Sequence, residues 1–191
     1  MKKLLWIQTA IGVCFTFASC NNSLTISVPA HAGDQKCELM QRAICVVQPT
    51  KGNSCRGIVY FEATSKGKVK ITAMISGLIP NQKHAIHIHQ YGDISDLSGK
   101  SAGGHYNPEN HPHGLPPEKK RHAGDLGNLE ADRHGKTKLL LTVDNISIAG
   151  KNAILGRAIV IHAKLDDGGQ PTGNAGARIG FGVIGIGKAA G

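Results

Sequence analysis

Val69, Ile71, Ala73 and Ile75 alternate with Lys68, Lys70, Thr72 and Met74. Residues two apart share a face of an extended strand, whereas a helix brings residues three and four apart together, so this run can bury one face only as a strand. Shorter β-branched runs at 43–47, 57–62, 138–143, 158–162 and 179–186 are separated by Gly, Asn, Asp or Lys. That spacing predicts an all-β sandwich or barrel. The 191 residues, 25 of them glycine, give room for one domain with its own core and contain no sustained helical repeat.

Two stretches break the pattern. Residues 91–121 are rich in Gly, Pro, Asn, Ser and His, and residues 164–177 contain Asp166, Asp167 and four glycines. Neither carries a periodicity, and compact domains rarely hold loops of such length without a function. Loops that bury little apolar surface must recover their ordering entropy elsewhere, and metal ligation is one source.

The histidines supply it. Ten are present and eight fall between 84 and 134. His87-Ile88-His89 sits in an extended segment, which sends both imidazoles to one face and Ile88 to the core. The first long loop adds His105, His111, His113 and His122, with Asp125 three residues further on, and His162 ends the apolar run 158–161. Imidazoles with a single carboxylate suit zinc and copper, whereas calcium and magnesium sites are built mostly from oxygen.

The ends of the chain carry other information. Lys2 and Lys3 followed by the mostly apolar residues 4–17 form an export leader too short to span a bilayer. Phe17-Ala18-Ser19-Cys20 is a lipoprotein-type processing point, giving a leader of 1–19, and Ala30-His31-Ala32 is an ordinary one, giving 1–32. Residues 20–40 then read as a flexible tether and 41–191 as the folded domain. The formal charge is +9, yet the cations are scattered, Lys119-Lys120-Arg121 is the only compact run, and few aromatics accompany them. This argues against a nucleic-acid surface and leaves small anions or an anionic membrane. The five cysteines, at 14, 20, 37, 45 and 55, include no Cys-x-x-Cys pair, so a zinc ribbon is excluded.

The motifs His87-Ile-His89-Gln-Tyr-Gly-Asp93 and Ser101-Ala-Gly-Gly-His105-Tyr-Asn-Pro108 resemble the copper/zinc superoxide dismutase family. Four further motifs agree in order: His113-Gly-Leu-Pro116, Arg121-His122-Ala-Gly-Asp125-Leu-Gly-Asn128, Gly156-Arg157-Ala-Ile-Val-Ile-His162 and Gly173-Asn-Ala-Gly-Ala-Arg178. The resemblance runs from about residue 43 to about residue 187. It implies an immunoglobulin-like Greek-key sandwich or barrel with two long metal-site loops. It also implies an oxidoreductase that turns superoxide into oxygen and hydrogen peroxide. By the same resemblance His87, His89, His105 and His162 ligate copper, and His105, His113, His122 and Asp125 ligate zinc, with His105 bridging. Arg178 guides the anion and Asp166 links a copper histidine to a zinc histidine. His84 is structural, His113 rather than His111 is the ligand, and His134 lies in a solvated turn.

The family disulfide is missing, since Ser98-Gly99 and Phe181 stand at its two positions. Loss of such a bridge costs about 2–5 kcal/mol. Metals, packing or a dimer interface must therefore hold the loop, and Cys37 with Cys55 is a candidate clamp for the N-terminal strands. The short segment 162–178 resembles bacterial members without extra steering charges. An exported protein of the bacterial periplasm or cell envelope is expected, compatible with membrane attachment through a lipidated Cys20 and with a homodimer. The rival of another class is a copper or zinc carrier without turnover, which would need no arginine like Arg178.

Overall fold

A computed structural model of the chain describes residues 41–188. The leader, both processing points and Cys37 lie outside them.

Eight strands form: β1 (Arg42–Pro49), β2 (Arg56–Ala63), β3 (Val69–Ser76), β4 (Lys83–His89), β5 (Asp125–Glu130), β6 (Thr137–Val143), β7 (Ala158–His162) and β8 (Arg178–Ile186). They make one sheet in the order β5-β4-β7-β8-β1-β2-β3-β6, and every neighbouring pair is antiparallel. β5 and β6 meet at the seam, so the sheet nearly closes into a barrel. Near closure leaves little free edge for pairing with another chain. The non-sequential neighbours β4-β7, β8-β1 and β3-β6 are the Greek-key crossings.

β3 behaves as its alternation requires. Val69, Ile71, Ala73 and Ile75 are buried, and Lys70, Thr72 and Met74 lie on the outer face. With Val59, Phe61, Ile86, Ile88, Leu129, Ile159, Ile161 and Ile184 they build the barrel core. Each large side chain buried in this way contributes about 1.5–3 kcal/mol. Cys45 and Cys55 belong to the same core as buried free thiols, and Cys37, the other half of the candidate clamp, lies outside the described residues. Burial pushes both thiols up to about 12, which leaves them protonated and chemically quiet.

β4 departs from alternation, because all six residues from His84 to His89 are buried. Its inner face packs in the core and its outer face is roofed by the first long loop. That loop is tied down by the backbone bonds Tyr106 N to Ile88 O (2.8 Å) and Ile88 N to Gly124 O (2.9 Å). β5 is a strand that composition did not predict. Its sequence Asp-Leu-Gly-Asn-Leu-Glu has weak strand propensity, and Gly127 takes φ 82°, a conformation open to glycine and costly to other residues. Pairing with β4, with a register shift between Ala85 and His87, imposes the strand from outside. The stretch 91–121 contains no strand and one short 3-10 helix, Lys100–Ala102, and 164–177 is likewise irregular.

A second, small apolar cluster lies outside the barrel core and consists of Ala102, Ala158, Val160 and Phe181. It glues the first loop onto β7 and β8.

Candidate metal centre

Six histidines and one aspartate converge on the outer face of β4, where each backbone element aims a side chain. β4 presents His87 and His89, β7 ends on His162, and Asp125 opens β5. His105, His113 and His122 come from the loop, with His105 held by a bridge to His89 in the sheet direction. Ligand atoms of His87, His89, His105 and His162 lie within 4.8 Å of one another, and so do those of His105, His113, His122 and Asp125. His105 belongs to both groups. All seven residues are buried, Asp125 completely.

Hydrogen bonds fix which nitrogen of each ring remains. His89 Nδ1–H donates to the Gly103 carbonyl at 2.9 Å and His162 Nδ1–H to the Gly176 carbonyl at 3.2 Å, so each turns Nε2 inward. The two Nε2 atoms lie 3.4 Å apart. His87 Nε2–H donates to Asp166 Oδ2 and His113 Nε2–H to Asp166 Oδ1, both at 2.8 Å. This leaves His87 Nδ1 and His113 Nδ1 buried without a hydrogen-bond partner. His113 Nδ1 is 3.0 Å from Asp125 Oδ2, close but outside hydrogen-bonding geometry. His105 Nδ1 is 2.9 Å from Asp125 Oδ1 and 3.3 Å from His122 Nδ1.

These separations fit metal ions. Two nitrogens bound at 2.0–2.1 Å to one tetrahedral ion stand roughly 3.3 Å apart, and a buried lone pair aimed at an empty space is costly unless a cation receives it. Asp166 joins His87 and His113 across the two groups. Because it receives an N–H from each ring, its role with them is that of a brace.

The electrostatics agree. Burial lowers the imidazoles of His87 to about 4, His89 to about 2 and His162 to about 3, against the pull of their hydrogen bonds, so their inward nitrogens carry no proton at neutral pH. Burial would raise Asp125, yet the His105 hydrogen bond, the His113 imidazole close beside it and the Gly114 N–H hold it well below the ordinary carboxylate range. His113 runs the other way. Burial opposes its proton, but Asp125 and Asp166 together outweigh burial and raise it to about 9.

The family described as copper/zinc superoxide dismutase (SODC) matches residues 55–184. The chain is similar to a superoxide dismutase [Cu-Zn] of Paramecium bursaria Chlorella virus 1, 42% identical over 193 residues, covering 97% of this chain and 94% of that protein. It is likewise 42% identical over 154 residues to superoxide dismutase [Cu-Zn] 5 of Dictyostelium discoideum, covering 76% of this chain and 98% of that one. Among solved structures, the clock protein EA4 aligns with a TM-score of 0.70 at 40% identity, covering 76% of this chain and 94% of the other. The chain belongs to the copper/zinc superoxide dismutase family. It is an oxidoreductase that uses copper and zinc and acts on superoxide.

Arg178 is pinned next to the histidine cluster by two backbone carbonyls. Its Nη2 donates to the Gly103 carbonyl at 2.6 Å and its Nη1 to the Gly99 carbonyl. Gly103 O therefore accepts from both Arg178 and His89. The positive charge of Arg178 reaches His89 and His162, where it adds to the lowering of both imidazoles. Gly99 and Phe181, at the positions of the missing disulfide, are neighbours: a Cβ on residue 99 would sit 3.7 Å from Phe181 Cγ. An aromatic ring thus fills the space a disulfide would occupy, and Phe181 is nearly fully buried.

The histidines set aside in the sequence fall outside both groups. His84 Nδ1–H donates to the His162 carbonyl at 2.9 Å, His111 Nδ1–H donates to the Arg121 carbonyl at 3.3 Å, and His134 is exposed in a turn organised by Asp132. Sequence reasoning counted Arg121 in the compact basic run 119–121 and quoted it in a family motif, without a role. It is buried, and donates to Asp125 O (3.2 Å), Glu118 O (2.5 Å) and Asn145 Oδ1 (3.2 Å) inside the loop. Also missed were Asn128, whose amide exchanges two bonds with the Asp166 backbone at 2.7 and 2.9 Å, and Arg157, whose guanidinium lies 3.5 Å over the Tyr106 ring. Asn128 stood inside a quoted motif, but only the fold brings residue 166 beside it.

Proposed function

We propose that superoxide is disproportionated at a copper ion held by His87, His89, His105 and His162, with His105 also ligating a zinc ion held by His113, His122 and Asp125. Two superoxide ions and two protons give one dioxygen and one hydrogen peroxide. Copper, when bound, supplies the one-electron chemistry, while zinc has no redox role and contributes fixed charge and order. The observation that carries the reading is that two groups of four ligands share His105. That ring has two nitrogens and can serve a metal at each once its protons are gone.

The chain's own groups have distinct tasks. Arg178, permanently charged and pinned by two carbonyls, draws the anion to the side of His89 and His162. His105 Nε2, on the far side of the ring from Asp125, is the atom that can take up a proton and deliver it to the reduced oxygen. Asp166 keeps His87 and His113 in fixed orientation while this happens.

The test is to express the chain, measure copper and zinc per molecule, and assay superoxide loss beside His162→Ala and Arg178→Ala. His162→Ala is expected to lose copper and turnover. Arg178→Ala is expected to keep both metals and lose roughly tenfold or more in kcat/KM. Stoichiometric metal without turnover would overturn the enzymatic reading in favour of a metal carrier.

The proposal includes export to the bacterial periplasm or cell envelope, with the leader removed before a lipidated Cys20 or after Ala32. Mass spectrometry of the mature N-terminus separates the two. A homodimer is supported by exposed Val46 and Val183 on the outer face of the adjacent strands β1 and β8, with Val46 55% exposed. Sedimentation of the wild type against Val46→Asp tests it.

A further inference from the structure

The loop after β7 reaches His113 with more than Asp166. Gln170 turns its side-chain amide toward the His113 backbone: Oε1 accepts from the His113 N–H at 3.1 Å, and Nε2 donates to the His113 carbonyl at 2.8 Å. This cyclic pair reproduces what a neighbouring strand does for a residue, but it is made by one side chain. It requires an amide of this length, because a carboxylate has no donor at neutral pH and an ammonium has no acceptor.

His113 needs such a partner because no strand holds it. Its ring is gripped by Asp166 at Nε2, which sets the ring's rotation, but rotation alone does not fix where the Cα sits. The same loop closes tightly beneath this contact. Gly173 has φ 75°, its N–H donates to Gly169 O at 2.6 Å, and a Cβ on it would lie 2.0 Å from Asp166 Oδ1 and 2.7 Å from His113 Nε2. Asp166, Gln170 and Gly173 thus form a clasp about the backbone N–H, the carbonyl and the ring of one residue.

We propose that Gln170 is a positioning residue for His113, fixing its backbone so that Nδ1 points at Asp125 and the chain retains zinc there. The proposal rests on the assignment of His113 to the zinc group. Gln170 is itself exposed, so water competes for both hydrogen bonds.

The test uses the full metal-loaded chain and the rate at which a chromogenic chelator takes up zinc. Gln170→Ala is expected to release zinc roughly tenfold faster, as the loss of two partly solvated hydrogen bonds implies. Gln170→Glu, which keeps the length and loses the donor, is expected to follow it. Copper release is expected to match wild type, and cobalt placed in the zinc position is expected to show an altered visible spectrum in Gln170→Ala. Thr172→Ala, in the same loop, is expected to behave as wild type. Zinc release by Gln170→Ala within about twofold of wild type would overturn the proposal, as would equally fast release by Thr172→Ala. Unchanged zinc content in His113→Ala would instead overturn the assignment beneath it.

Discussion

The two halves of the metal centre are built from different materials. Three of the four histidines proposed for copper stand on β4 and β7, inside a sheet whose neighbours β5, β7 and β8 hold them by ladder hydrogen bonds. Of the four residues proposed for zinc, three are loop residues and only Asp125 begins a strand. The strand side is organised by the same burial that makes the barrel. The loop side is organised by local polar contacts: Asp125 Oδ2 accepts from Gly114 N–H (3.1 Å) and His122 N–H (2.9 Å), and Gln170 clasps His113. Polar contacts among semi-exposed loops return little net free energy each, so ligation must supply the remainder.

Removing both metals is the strongest way to test this contrast. Amide exchange in 91–121 is expected to rise by about 100-fold or more, while β4 and β7 stay protected, since loop opening needs no unfolding of the barrel. Equal loss of protection in both regions, or full protease resistance of the stripped loop, would break it. Next in size, Asp125→Ala leaves buried N–H groups and imidazoles without their acceptor. It is expected to abolish zinc retention and to lower stability by about 3 kcal/mol, read by metal analysis and thermal unfolding.

Phe181→Ala would sharpen the contrast, because its ring fastens the first part of the loop to the strand side. A loss of about 3 kcal/mol is expected from the cavity, with lower kcat/KM because Gly99 and Gly103 seat Arg178, and with zinc release unchanged. Treatment with a reducing agent is expected to leave wild-type activity and melting temperature unaltered, since the two cysteines among the described residues, Cys45 and Cys55, are unbridged thiols. The smallest effect is ionic. Raising salt from about 0.01 M to about 0.15 M shortens the screening length from about 30 Å to about 8 Å, and a severalfold fall in kcat/KM is expected if Arg178 and the overall positive charge steer the anion.

Legibility followed the same division. The runs at 43–47, 57–62, 138–143, 158–162 and 179–186 were readable as strands because apolar periodicity is a local property of the chain, and each lies in an observed strand. β5 was not readable, because its strand form comes from pairing with β4 and not from its own residues. The residues of the two clusters were picked out by the motif order of the family resemblance, whereas Asn128, Arg157 and Gln170 were not. Each acts on a distant segment through a hydrogen bond whose partner carries no mark in the sequence. The burial of Arg121 was not readable for a related reason: a charge beside two lysines carries no mark of the carbonyls that the fold places around it.

By itself the sequence determined the strand faces and the patternless loops, since these depend on residue type and spacing, and its resemblance to the family singled out the seven side chains that the fold gathers. Only the tertiary structure decided which ring nitrogen of each histidine is spent on a carbonyl or carboxylate and which turns inward. It also decided that Phe181 meets Gly99 and that Gln170 meets His113. The physical reason is that a hydrogen bond is chosen by position within a few tenths of an ångström, and those positions arise when two loops fold over the same strand.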